Sequence, residues 1–113
     1  MKINLKFNAT SVDEIEQTRQ LPIQNCVGDT SIKMLCLFIQ KGFVNEDGHI
    51  GASKNVAMSV IDDYLTESDT DDLLLDITEA LVNGGFLSRE IDVAKMREVK
   101  NKTLSQAMNK IEG

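Results

Sequence analysis

The sequence predicts a mainly α protein, a small helical domain of about five helices with one short N-terminal β-strand. Three observations carry that reading. Apolar residues recur at three and four positions in successive segments, most of them preceded by cap-forming residues. Two segments end alike, Leu37-Phe38-Ile39-Gln40-Lys41-Gly42-Phe43-Val44 and Ala80-Leu81-Val82-Asn83-Gly84-Gly85-Phe86-Leu87. In each, an apolar-faced helix runs into a Gly suited to a left-handed cap, and a Phe just beyond it is placed to fold back onto the last turn. Only the first residues alternate with period two. The echo between the two segments reads as shared capping rather than as a duplicated unit.

Taken in order, Lys2-Ile3-Asn4-Leu5-Lys6-Phe7 places Ile3, Leu5 and Phe7 on one face of a half-buried strand. Its partner is expected to be another copy of the chain or a segment around Ile23 to Val27, since no second alternating run follows. Ser11-Val12-Asp13-Glu14 fits a capping box that opens a short helix to about Gln20, and Pro22 closes it. Asp29 or Thr30 caps the next helix, whose Ile32, Leu35, Cys36, Phe38 and Ile39 form a wide apolar face. That helix is the expected core. Asn45-Glu46-Asp47-Gly48 is a turn, without the alternating ligands of a calcium loop.

From Ser53 to Leu65 the spacing of Val56, Ala57, Val60, Ile61, Tyr64 and Leu65 predicts a third helix, with Asp62 and Asp63 turned away. Thr70-Asp71-Asp72 begins a fourth with a hydroxyl cap and carboxylates at the positive end of the helix dipole, burying Leu73, Leu74, Ile77, Ala80 and Leu81. Ser88 caps the last helix, along which Ile91, Val93, Met96, Leu104, Met108 and Ile111 keep an approximate helical period. The seam is narrow, so its far end is expected to fray or to dock on a partner. Residues 1–88 thus form an acidic helical core with the N-terminal strand, and residues 89–113 a C-terminal amphipathic helix.

At 113 residues the chain has room for one modest core and none for a cleft between two lobes. Its net charge of −6 repels phosphate backbones, and with no Trp and one Tyr it offers few platforms for stacking bases. Nucleic-acid binding is therefore not expected. Nor is a membrane partner, because no apolar run reaches spanning length and the N-terminus has no secretory apolar stretch, which predicts a cytoplasmic location. The charge is uneven. Residues 1–88 carry six basic and fourteen acidic side chains against six and four in 89–113, a division that favours self-association.

No constellation of residues reads as an active site, so a non-enzymatic protein without cofactor or metal is expected. His49, the sole histidine, lies in a turn with no relay partner nearby, and it is read as a solvent-exposed residue. Cys26 and Cys36 lack the spacing of a zinc or redox site and read as reduced, inert thiols. Met58 is assigned to the core, while Met96 and Met108 suit a surface that accepts apolar partners. Between Asp62 and Glu79 lie eight acidic residues and no basic one. Helix-start carboxylates and a solvated face account for most of them. The alternative is an acidic inhibitor that imitates DNA phosphates through the same run.

Asp29-Thr30-Ser31 leading into a helix that ends Ile39-Gln40-Lys41-Gly42-Phe43, then Ile61-Asp62-Asp63-Tyr64-Leu65, then Asp72-Leu73 running into Ala80-Leu81-Val82-Asn83-Gly84-Gly85-Phe86-Leu87, resembles the small tail assembly chaperones of long-tailed (siphovirus-type) phages or prophages. The likeness covers roughly residues 2–92 and rests on helix-end and core patterns. It implies a short, acidic, mostly helical protein of the infected or lysogenic bacterial cytoplasm. Such a protein coats the tape measure protein, helps tail tube subunits polymerise around it and leaves the finished particle. Many of these relatives begin with a Gly-containing hairpin, whereas here Asn8-Ala9-Thr10 pass directly into a capped helix. On this reading Phe43, Phe86 and Leu87 buttress the binding surface. Val93, Met96, Leu104 and Met108 engage the tape measure protein or a neighbouring copy in a homo-oligomer.

Overall fold

A computed structural model describes residues 3–100. The chain is mainly helical: α1 (Ala9–Arg19), α2 (Ile23–Cys26), α3 (Ile32–Gly42), α4 (Lys54–Tyr64) and α5 (Thr70–Asn83), followed by α6, helical over 93–100. The centre is α3, which packs against α1, α4 and α5. Its Met34, Leu35, Phe38 and Ile39 are completely buried, as the periodicity requires. Ile15 of α1, Ala57 of α4, and Leu73, Ile77 and Leu81 of α5 close on it from three sides.

Among the described residues there is no β-strand, which corrects the expectation for the N-terminus. Residues 3–7 are extended, but only Leu5 forms an antiparallel bridge, and its partner is Phe43 rather than the Ile23 to Val27 segment. The Lys6 N–H donates to the Gly42 carbonyl at 2.8 Å and the Val44 N–H to the Asn4 carbonyl at 3.0 Å. Val44 is bridged in turn to Ile50 across the turn at 45–48. The ladder cannot lengthen. Phe43 caps α3, the turn begins two residues later, and Asn8 already caps α1.

Several caps lie a few residues from their expected places. The box that opens α1 is formed by Asn8 and Ser11, with reciprocal side-chain bonds of 2.8 Å, so the helix starts before Ser11. Ser31 caps α3, while Asp29 accepts from the Ser31 N–H. Asp69, not the Thr70 hydroxyl, caps α5 in a second box with Asp72. Ser53 caps α4. Asn8 and Asp69 lie three and one residues upstream of the expected caps and Ser31 just downstream of its own, and in each the cap residue is the one whose backbone is extended.

The two Gly-Phe endings part company. Gly84 and Gly85 close α5 in a Schellman arrangement: Gly85 has φ 83°, the Phe86 N–H donates to the Leu81 carbonyl and the Gly85 N–H to that of Val82. The Phe86 ring folds back over Gly84. Gly42, by contrast, stays helical and buried, and is not left-handed. Its lack of a side chain serves close approach, because a Cβ there would sit 2.5 Å from the Phe7 ring, which itself packs edge-on against Phe38 at 6.1 Å. Two further core assignments are corrected. Val56 and Met58 are 47% and 38% exposed, on the sides of α4 turned from Ala57 and Ile61.

Gly42→Ala should therefore destabilise the protein by roughly 1–3 kcal/mol through overpacking. Adding Phe7→Leu should return part of the loss, a non-additivity that urea unfolding of the single and double variants would measure.

Candidate functional site

Beyond the Gly85 cap the chain turns at Ser88, whose hydroxyl accepts from the Glu90 N–H, and enters α6. Asp92, not Ser88, caps it by accepting from the Lys95 N–H at 3.0 Å. Leu87 and Val93 are buried, at 7% exposure each. They anchor the start of α6. From there two cations fasten it to α5. Arg97 reaches Asp76 at 2.6 Å and Glu79 at 2.8 Å, and Lys100 reaches Asp69 and Asp72, both at 2.6 Å. As α6 advances from 97 to 100 its partners retreat from 76 and 79 to 69 and 72, so the two helices run antiparallel.

The clasp continues into the core. The second oxygen of Asp76 accepts from the Tyr64 hydroxyl of α4 at 2.7 Å, so one carboxylate ties three helices together. Burial, and then the hydrogen bond to Asp76 and its charge, push the Tyr64 phenol well above its usual range. Hydrogen bonds from Lys100 and then from the Asp72 N–H hold the Asp69 carboxyl below its own range. Partial burial works against the charges of Arg97 and Lys100. Hydrogen bonds to the carboxylates outweigh it, so both cations are held above their ordinary values.

These pairs use four of the eight acidic residues between Asp62 and Glu79. The basic tail thus meets the acidic body within one chain, where self-association was the expectation. With its charged side fixed, α6 turns an apolar side outward. Met96 and Val99 are 45% and 57% exposed and, with Ile91, line a shallow concavity of about 590 Å³ edged by Asp92, Lys95 and Lys100.

The residues singled out from the sequence fall into three groups. Met96 lies in this strip. Leu87 and Val93 are buried, and Phe43 and Phe86 are half-buried, packed on the core at the ends of α3 and α5. Leu104 and Met108 lie outside the described residues. Val99, Arg97 and Lys100 were not anticipated, although the signal was present: cations three apart on one helix face acids spaced by three and four on another.

His49 is exposed in its turn, where its backbone N–H donates to Asn45. Cys26 and Cys36 are free and buried, and burial raises the Cys26 thiol. No group of three or more His, Cys, Asp or Glu is placed to hold a metal ion among the described residues, and no helix there is long and apolar enough to cross a membrane. Compared with protein-family models, curated proteins and solved structures, the chain matches none.

Because folding raises the Tyr64 value, its contribution is complete below the unfolded value of about 10 and is lost as pH rises through the folded one. Wild-type stability should therefore fall more steeply above about pH 10 than that of Tyr64→Phe. As the only tyrosine, with no Trp, Tyr64 should show phenolate absorbance only as the chain unfolds. Urea unfolding of both proteins across this range would check the difference.

Proposed function

We propose that this protein is a non-enzymatic tail assembly chaperone of a long-tailed phage or prophage, acting in the bacterial cytoplasm. It binds the tape measure protein and assists tail tube polymerisation around it. The observation that carries this reading is the outward apolar strip formed by Met96 and Val99 of α6 with Ile91 just before it, on a helix whose adjoining side is fastened by charge. A strip held in this way is offered to another macromolecule without being left to collapse onto its own core. Leu87 and Val93 are buried where α6 begins, and Leu104 and Met108, which follow in the sequence, belong to the proposed contact. Several copies along one client, each contributing such a strip, form the homo-oligomeric coat that the resemblance implies.

The likeness in the segments ending Gly42-Phe43 and Gly85-Phe86-Leu87 points the same way. The DNA-imitating alternative loses ground, because Asp69, Asp72, Asp76 and Glu79 are already engaged by Arg97 and Lys100. Binding through a strip of this kind should persist as salt rises, whereas binding through carboxylates would weaken steeply.

Co-expression with the tape measure protein tests the proposal. Met96→Asp with Val99→Asp should lower the amount of client that co-purifies by about tenfold or more while the chaperone itself stays folded. Unchanged co-purification and client solubility would remove α6 as the contact.

A further inference from the structure

A second surface shares no residue with the strip on α6 and is lined by cations without an acid among them. Between the end of α1, the outer side of α3 and the start of α4 lies a concavity of about 420 Å³. Its apolar floor comes from Cys36 and Leu37 of α3 and Met58 of α4. Arg19, Lys33 and Lys54 line it as well, and no acidic residue does. In a chain of net charge −6, half of the six basic residues in 1–88 meet at this one depression.

Those charges are little used within the fold. Among the described residues neither Lys33 nor Lys54 takes part in an ion pair. Arg19 is 3.5 Å from Asp29, a loose contact, and its Nε is buried with no hydrogen-bond partner. Lys41, by contrast, is committed, 2.6 Å from Glu14. Met58, expected from the sequence to fill the core, instead presents an adaptable apolar surface to the depression.

We propose that this groove docks an acidic amphipathic helix of a partner protein, with apolar side chains on Leu37 and Met58 and carboxylates toward Arg19, Lys33 and Lys54. Charge complementarity selects the occupant. A cationic rim around an apolar floor suits a segment with carboxylates flanking an apolar ridge, whereas nucleic acid would find little to stack on and an acidic body to repel it. The chain's own residues 101–113 do not fit, since they carry Lys102 and Lys110 against Glu112 alone. The proposal stands independently of the function assigned to α6.

The test is an NMR titration of the full chain with four probes. They are a synthetic helical peptide of Leu and Glu at helical spacing, its counterpart with Lys in place of Glu, oligothymidylate and dodecanoate. The acidic peptide should shift the amides of Arg19, Lys33, Cys36 and Met58, and the double variant Lys33→Glu with Lys54→Glu should weaken it by about tenfold or more. Both lysines lie in first helical turns, where Glu is favoured by the helix dipole, so the loss cannot be put down to unfolding. Met96→Asp should leave this binding unchanged. The proposal is overturned by equal binding of the basic peptide, by tighter binding of oligothymidylate or dodecanoate, by no binding of the acidic peptide, by its retention in the double variant, or by shifts confined to 91–100. It also fails if the double variant lowers the mass of the unliganded protein in solution, which would make the groove a contact between copies.

Discussion

The placement of the last helix follows from a ladder of carboxylates on α5, Asp69, Asp72, Asp76 and Glu79, that meets Arg97 and Lys100. Each partly exposed pair contributes little by itself, typically 0–1 kcal/mol. What the ladder supplies is register. Burial of Leu87 and Val93, of the order of 1.5–3 kcal/mol for a full side chain, holds α6 near α5, and the charges decide its direction and which side faces out. Asp76 then links this outer layer to the core through Tyr64, so the helix that carries the apolar strip is tied to the packing of α4 and α5.

The same ladder changes the meaning of the net charge. By formal count the chain is acidic with a basic end, a pattern that invites association between copies. Once folded, the two halves of that pattern neutralise each other locally. The charge left over is separated, with Asp62, Asp63 and Asp71 exposed and Arg19, Lys33 and Lys54 gathered in the groove beside α3. An apolar strip on α6 and a cationic groove between α1 and α4 are thus two surfaces of different chemistry on one small scaffold.

Helices were legible wherever an apolar period and a cap coincided, as in α3, α4 and α5, because both signals are local. The end of α5 was legible too, since Gly85 takes the left-handed conformation and the Phe86 ring lies over Gly84. Gly42 carried the same local pattern and a different cause. Its constraint comes from Phe7, 35 positions away in sequence, and no helix-end rule contains that contact. The N-terminal alternation was misread for a similar reason. Period two specifies extended backbone, but a ladder needs a partner long enough to pair, and Phe43-Val44 offers two residues. Val56 shows the limit of a stripe drawn too wide, since helical spacing gives a face without saying how much of it a neighbour covers, and Met58 shows that an adaptable apolar side chain is not by that fact a core one.

The central claim is that charge sets the register of α6 along α5 and so leaves Met96 and Val99 outward. Amide hydrogen exchange in the variant Arg97→Glu with Lys100→Glu tests it most directly. The account predicts that protection is lost across 95–100 while the amides of α3 keep the protection they have in the wild type. Unchanged protection across 95–100 would contradict it, because that stretch would then be seated in register without this ladder.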